Sequence, residues 1–313
     1  MHKGTESDWR GSWRAAGVAF LLGTASTIAQ LVLLREFLGA FAGNELIIGF
    51  VLGCWLALTA FGAEIGRRWR RGGTLALLVG LEIVAGLAPL LQIAAIRLVR
   101  ATLLPGTAPG PDLALGSTVL ILLPGCFANG WLFALLVRLV TEDRGQESGQ
   151  AYLFETIGLA VGGLAYSVFL CVRLASFDLA VLIAAQNSLA VIVLSRSRGR
   201  RRVAAAAGLV LALLFGCVYG LDLDARTLQA MYPGGRIVAQ AHSPYGHVVV
   251  TESGGQRAFF QQGVPLFTTQ DTAAREARVH FALAQRERMD AVLLVGGAAC
   301  RAADEVLKHA PAR

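Results

Sequence analysis

The run ELIIGFVLGCWLALTAFGAEIGRRWRR, residues 45–71, decides how the rest of the chain is read. Between Glu45 and Gly66 only the two glutamates carry charge, and a helix of about 20 apolar residues is what crosses the hydrocarbon core of a bilayer. The cluster Arg67–Arg71 that follows is a basic flank of the kind that stays on the cytoplasmic side. Working outward, the apolar segment itself spans 44–66, and comparable segments lie at 15–34, 74–97, 115–138, 151–172, 177–195 and 203–220. The last two are short and also read as one tight hairpin, so the count is seven, with six as the alternative.

Composition agrees. Hydrophobic residues make up 55% of the 313, charged residues 16%, and the mean hydropathy is 0.58, too apolar for an ordinary soluble domain. The net charge of +7 is gathered in short runs between the apolar segments. That distribution suits membrane orientation and excludes a nucleic-acid face. The start, MHKGTESDWRGSWR, is polar and offers no cleavable signal. None of the five cysteines are spaced as a metal or redox pair, and no metal site is expected. The expected partner is the lipid bilayer and the expected location a bacterial inner (plasma) membrane, crossed several times.

RRWRR (67–71), RLVTEDR (138–144) and RSRGRRR (196–202) fall on one side if the segments alternate, and Lys3, Arg10 and Arg14 put the N-terminus there too. Seven spans carry everything after residue 220 to the opposite side; six keep it with the basic loops. Gly49 and Gly53, Gly62 and Gly66, and Gly158 and Gly162 each lie four apart, a spacing that lets helices approach closely. Gln30, Glu82, Asn129, Glu155 and Asn187 fall deep in their segments, where an ionisable group costs several kcal/mol unless paired or hydrated. Glu82 and Glu155 are therefore candidate solute-binding groups. Arg35, Glu36, Glu45 and Glu64 sit near segment ends and read as snorkelling residues, although Arg35 would reach Glu155 if the first and fifth helices touch.

After Gly220 the letters change. Residues 221–242 read as a linker. HVVVTES (247–253) and QRAFFQQ (256–262) have strand composition with a hairpin signal between them, and VPLFTTQ reads as a third short strand. Ala274, Ala277, Phe281 and Ala284 recur at helical spacing over 271–286, VLLV (292–295) after Asp290 reads as a buried strand ended by Gly296-Gly297, and a helix begins at Ala302.

The tail resembles the spermidine synthase family of aminopropyltransferases, and more closely its membrane-attached branch. SPYGHVVV (243–250), QQG (261–263), VHFALAQ (279–285) and VLLVGGAACRAADEVLKH (292–309) carry the likeness in the tail. AQLVLLREFLGAFAGNELIIG (29–49) and YLFETIGLAVGG (152–163) carry it in the membrane half. The resemblance implies decarboxylated S-adenosylmethionine as co-substrate, with no tightly bound cofactor, and transfer of its aminopropyl group to a diamine. It assigns Gly296, Gly297, Tyr245, Glu276 and His280 to the donor site. Where the family's glycine turn carries an acid this chain has Ala299, with Arg301 close behind; Gly246 replaces a glutamine, and Ala274 and Arg275 stand at the family's Tyr and His. The family's catalytic aspartate would fall beyond residue 313.

The expected architecture is thus a cytoplasmic tail (1–14), an α-helical membrane bundle (15–220), the linker (221–242), a β-hairpin module (243–270) and the first strand–helix unit of an incomplete Rossmann-like, methyltransferase-type α/β domain (271–313). The expected function is that of a membrane-bound spermidine synthase-like protein, not competent for aminopropyl transfer by itself; the transferase domain is expected to be cut short, either by truncation or because its remainder lies on another chain, and a homo-oligomer is admitted. The alternative is a membrane transport or sensing protein with a degenerate, non-catalytic tail.

Overall fold

The computed structural model describes residues 5–69, 74–103, 110–144, 148–194, 200–243, 246–285, 290–297 and 299–309. Seven helices are long and apolar enough to cross a membrane. They are α1 (Thr5–Ala40), α2 (Glu45–Arg68), α3 (Thr74–Thr102), α4 (Pro111–Arg144), α5 (Ser148–Ala165), α7 (Ser176–Leu194) and α8 (Arg200–Gly220). The seven-segment reading therefore holds. Helix α5 continues through a π-turn at Tyr166–Leu170 and a last turn, α6 (Cys171–Arg173). At the head of α2, Asn44 supplies the cap by accepting the Leu46 N–H (2.9 Å), which satisfies one of the donors a helix start leaves open.

Helix α1 is the axis of the bundle. Its Val18, Val32, Leu33 and Phe37 are wholly buried, and it touches α5, α7 and α3 while α2 pairs with α4. Over half of its apolar stretch is buried, against 6% for α8, which packs mainly on α7. Two of the three glycine pairs do what their spacing suggests. A Cβ on Gly62 would collide with the Phe127 carbonyl of α4, and one on Gly158 with the Phe20 carbonyl of α1. Gly49 and Gly53 depart from the expectation: both are exposed, with nothing within 4 Å of a Cβ. They lie on the outward face of α2, so their spacing serves no helix contact among the described residues.

Beyond the bundle the stretch expected to be a linker is folded. It holds α9 (Leu223–Ala230) and β1 (Arg236–Ser243). Strands β1, β2 (Gly246–Ser253), β3 (Gln256–Gln261) and β4 (Val264–Thr268) form a four-stranded antiparallel meander. Both hairpin turns after β2 put two residues at positive φ, Gly254 and Gly255 in one and Gln262 and Gly263 in the other. Two-residue turns of that hand match the twist of antiparallel strands. One face of the sheet sits on the bundle: Val249 is completely buried, and Ile237 and Phe260 pack with Leu228, Met231 and Tyr232 against the same core as α1. Tyr232 and Phe260 meet edge-on at 5.0 Å.

The C-terminal elements depart most from expectation. Helix α10 (Thr272–Leu283) forms, capped by Asp271, whose carboxylate accepts the Ala274 N–H (3.0 Å). Its predicted apolar stripe is not a core face, since Phe281 is 76% exposed and Val279 is the residue it buries. The predicted strand at Val292–Val295 is not formed: these residues have no ladder partner among the described residues, and Leu293 and Val295 are each 88% exposed. Strand composition needs a neighbour to supply hydrogen bonds and a surface to bury it. Of the expected strand–helix unit the structure shows a turn at Gly296-Gly297 and α11 (Ala302–Leu307), with no parallel strand among the described residues.

Candidate functional site

Charged side chains gather where the end of α1 meets the sheet. Arg97, on α3, donates from Nε (2.8 Å) and Nη2 (3.0 Å) to both carboxylate oxygens of Glu36 on α1. Its Nη1 also reaches Asp224 Oδ1 (2.9 Å), the Asp224 carbonyl (3.0 Å) and Thr227 Oγ1 (2.9 Å), all on α9. Ser176, at the start of α7, donates to Glu36 and accepts from Arg35 Nη2 (2.8 Å). Arg35 also donates to the Cys171 carbonyl (3.1 Å) below the π-turn. Arg97 is 3% and Glu36 8% exposed, so a fork-to-fork pair is made here in a dry setting, with the donors of the guanidinium spent on two acids and a hydroxyl.

Sheet residues close over this network. His242 and His247 face each other across β1 and β2 with stacked rings 4.2 Å apart. His247, Gln262 and Tyr232 line a chamber of about 20 Å³ together with Arg35 and Glu36, room for a single water. Burial holds His242 down at about 4, reinforced by Arg35, and holds His247 down at about 3, reinforced by His242. Burial raises the carboxyl of Asp224, against the pull of Arg97, and pushes the Tyr232 hydroxyl up to about 12. Gly263 packs so tightly on α1 that a Cβ there would strike the Gly39 carbonyl.

The expectation that Arg35 and Glu36 snorkel is thus overturned; Arg97 holds Glu36 inside, and Ser176 with the Cys171 carbonyl holds Arg35. Arg35 does not meet Glu155 either. Helices α1 and α5 do touch, but the α5 turn bearing Glu155 lies against Gly23, twelve residues and about 18 Å of helix from Arg35. Glu64 behaves as an end residue should, paired in the open with Arg67 (2.7 Å) and Arg68 (2.6 Å). Arg97, Ser176, Asp224, His242 and His247 were not singled out from the sequence. The signal for Arg97 was present, an arginine inside the apolar run LLQIAAIRLV.

At depth, Glu82 is 1% exposed and Asn187 4%. Asn187 donates to the Ile183 carbonyl (2.9 Å), whereas neither carboxylate oxygen of Glu82 has a hydrogen-bond partner among the described residues. Glu155 is half-buried.

In the tail, Gly296 and Gly297 both take the left-handed backbone (φ +76° and +73°) that favours glycine. Glu276 and His280 face α11. His280 lies 3.3 Å from Glu305 and its ring nitrogen 2.6 Å from that of His309; Lys308 lies 2.5 Å from Glu305 and 3.9 Å from Glu276. The hydrogen bond from Lys308, then that from Arg275, holds the Glu305 carboxyl below its ordinary value against burial. Ligand atoms of Glu276, His280 and Glu305 lie within 4.8 Å of one another, a cluster whose charge Lys308 and Arg275 already balance. A cleft of about 220 Å³ between β4 and the turn is lined by Phe267, Asp271, Ala274, Arg275, Arg278 and Cys300. Two guanidiniums against one carboxylate do not fit a cationic sulfonium donor. Tyr245 lies outside the described residues.

Against protein-family models, curated proteins and solved structures, the chain has no match.

Proposed function

We propose that this is a membrane-bound spermidine synthase-like protein in which the helical bundle is a rigid seat for the synthase-like tail, and that the chain by itself does not transfer an aminopropyl group. The observation that carries this reading is the buried clasp of Glu36, Arg97 and Asp224, which ties α1, α3 and α9 together directly beneath the sheet. The order of elements in the tail, the positive-φ glycine pair and the helix after it support the likeness. The charge around the turn supports its inertness, since Arg275, Arg278 and Arg301 stand where a sulfonium and a diamine call for carboxylates. The bare, apolar Val292–Val295 supports a partner that supplies a neighbouring strand.

The test uses the full chain in lipid nanodiscs with decarboxylated S-adenosylmethionine and putrescine, read by mass spectrometry. No spermidine above the protein-free blank is expected, and its formation would refute the inert reading. Hydrogen exchange on the same sample checks the seat. Amides of β1 and β2 should lose protection in Arg97→Leu, and unchanged protection would refute the seat. A second reading, solute binding within the bundle, is favoured by the unpartnered Glu82.

A further inference from the structure

Val79, Glu82, Ile83 and Gly86 lie on one face of α3, at the spacing that stacks side chains along a helix, and line a cavity of about 190 Å³. Ala184, Asn187, Ser188 and Val191 of α7 form its second wall. Its third wall, from Val203 to Leu214 of α8, is almost entirely aliphatic. Glu82 is the one ionisable residue in this lining, and both of its oxygens are buried without partners among the described residues. Gly86 matters to the shape, because a Cβ there would come within 3.1 Å of Asn187. Glu82 stands eight residues from the start of α3, about 12 Å from the helix end that bears the basic loops.

A carboxylate among hydrocarbon is costly unless an opposite charge or hydrogen bonds compensate it. Among the described residues the lining holds neither a lysine nor an arginine. What it does supply is one acidic group, the amide of Asn187 and the hydroxyl of Ser188 at one side, and aliphatic walls everywhere else. We infer that the cavity between α3, α7 and α8 is a binding site for a small amphipathic organic monocation, its charged head on Glu82 and its apolar body against α8. A single carboxylate sets the charge of the ligand at one. A diamine would carry a second ammonium into the aliphatic wall, where no acid meets it. Helix α8 provides the route in, since it is the span that buries least against the rest of the bundle. This inference deepens the solute-binding reading and does not depend on the synthase-like reading of the tail.

The experiment uses the full chain in lipid nanodiscs and two probes of equal shape, benzyltrimethylammonium, a permanent cation, and neutral neopentylbenzene. Saturation-transfer NMR titration should show saturable binding of the cation. Glu82→Gln should weaken the cation by at least tenfold while leaving the neutral probe within twofold, and putrescine should not displace the cation. A loss of less than tenfold, an equal loss for both probes, or displacement by putrescine overturns the assignment. Val210→Trp, which fills the cavity from α8 and keeps Glu82, is the check if Glu82→Gln does not insert. It should abolish binding of both probes, and retained binding overturns the assignment as well. Failure here leaves the nanodisc assay for spermidine untouched, so the two readings are tested separately.

Discussion

At the scale of single residues, the buried charges of Glu36, Arg97 and Asp224 hold three helices together and expose no reactive group. Arg97 has acids on two sides, and removing it takes the ion-pair partner from Glu36 and Asp224 together, leaving Glu36 the Ser176 hydroxyl. Breaking a buried pair by deleting one partner typically costs about 3–5 kcal/mol. Arg97→Leu should lower unfolding stability in detergent by that order, and Glu36→Leu added to it should recover part of the loss; a double variant no more stable than the single one would contradict the pairing. The histidines give a second prediction. Released from the sheet, His242 and His247 take up protons near 6.5, whereas folded they resist until about 4 and about 3. The released state therefore binds more protons as pH falls, so stability from the pair is fully present above 6.5 and drains away between 6.5 and the folded values. Urea midpoints should fall over that range, and His242→Gln with His247→Gln should flatten the fall.

At the scale of elements, the hairpins were the most legible part of the tail. Gly254-Gly255 announces its own turn, and alternation in HVVVTES follows from one face resting on the bundle. Helix α2 was equally plain from its length and basic end. The composition of Val292–Val295 suits a strand, but composition says only that a run could pair, and its pairing depends on residues elsewhere. The clasp was hidden for the opposite reason: Arg97 and Asp224 lie 127 positions apart, and no local pattern joins them. The seat of the sheet rests on the turn at Gln262-Gly263 against Gly39. Gly263→Ala would be strained twice, by a φ of +74° and by the Gly39 carbonyl. The substitution should cost about 1–3 kcal/mol and raise protease cleavage within β3 and β4; unchanged cleavage would argue against the contact.

At the scale of the whole molecule, seven spans set the sides. Arg67 and Arg68 end α2, Arg138 lies near the end of α4 and Arg201 near the start of α8, while the sheet packs at the opposite ends, over the close of α1 and α3. If the basic ends face the cytoplasm, the sheet, α10 and α11 face away from it. A membrane-impermeant maleimide added to intact cells should then label Cys300, which is partly exposed in the tail, and a single-cysteine version should behave the same way. Labelling only after the cells are permeabilised would reverse the orientation.

The clasp also has a consequence for how the protein is made. Its members leave the ribosome far apart: Glu36 first, Arg97 with the third helix, Ser176 with the sixth span and Asp224 only after the seventh. Until that last helix clears the translocon, one side of the guanidinium has no acid to meet. The extramembrane sheet therefore finds a finished platform only once the seventh span and α9 have been made.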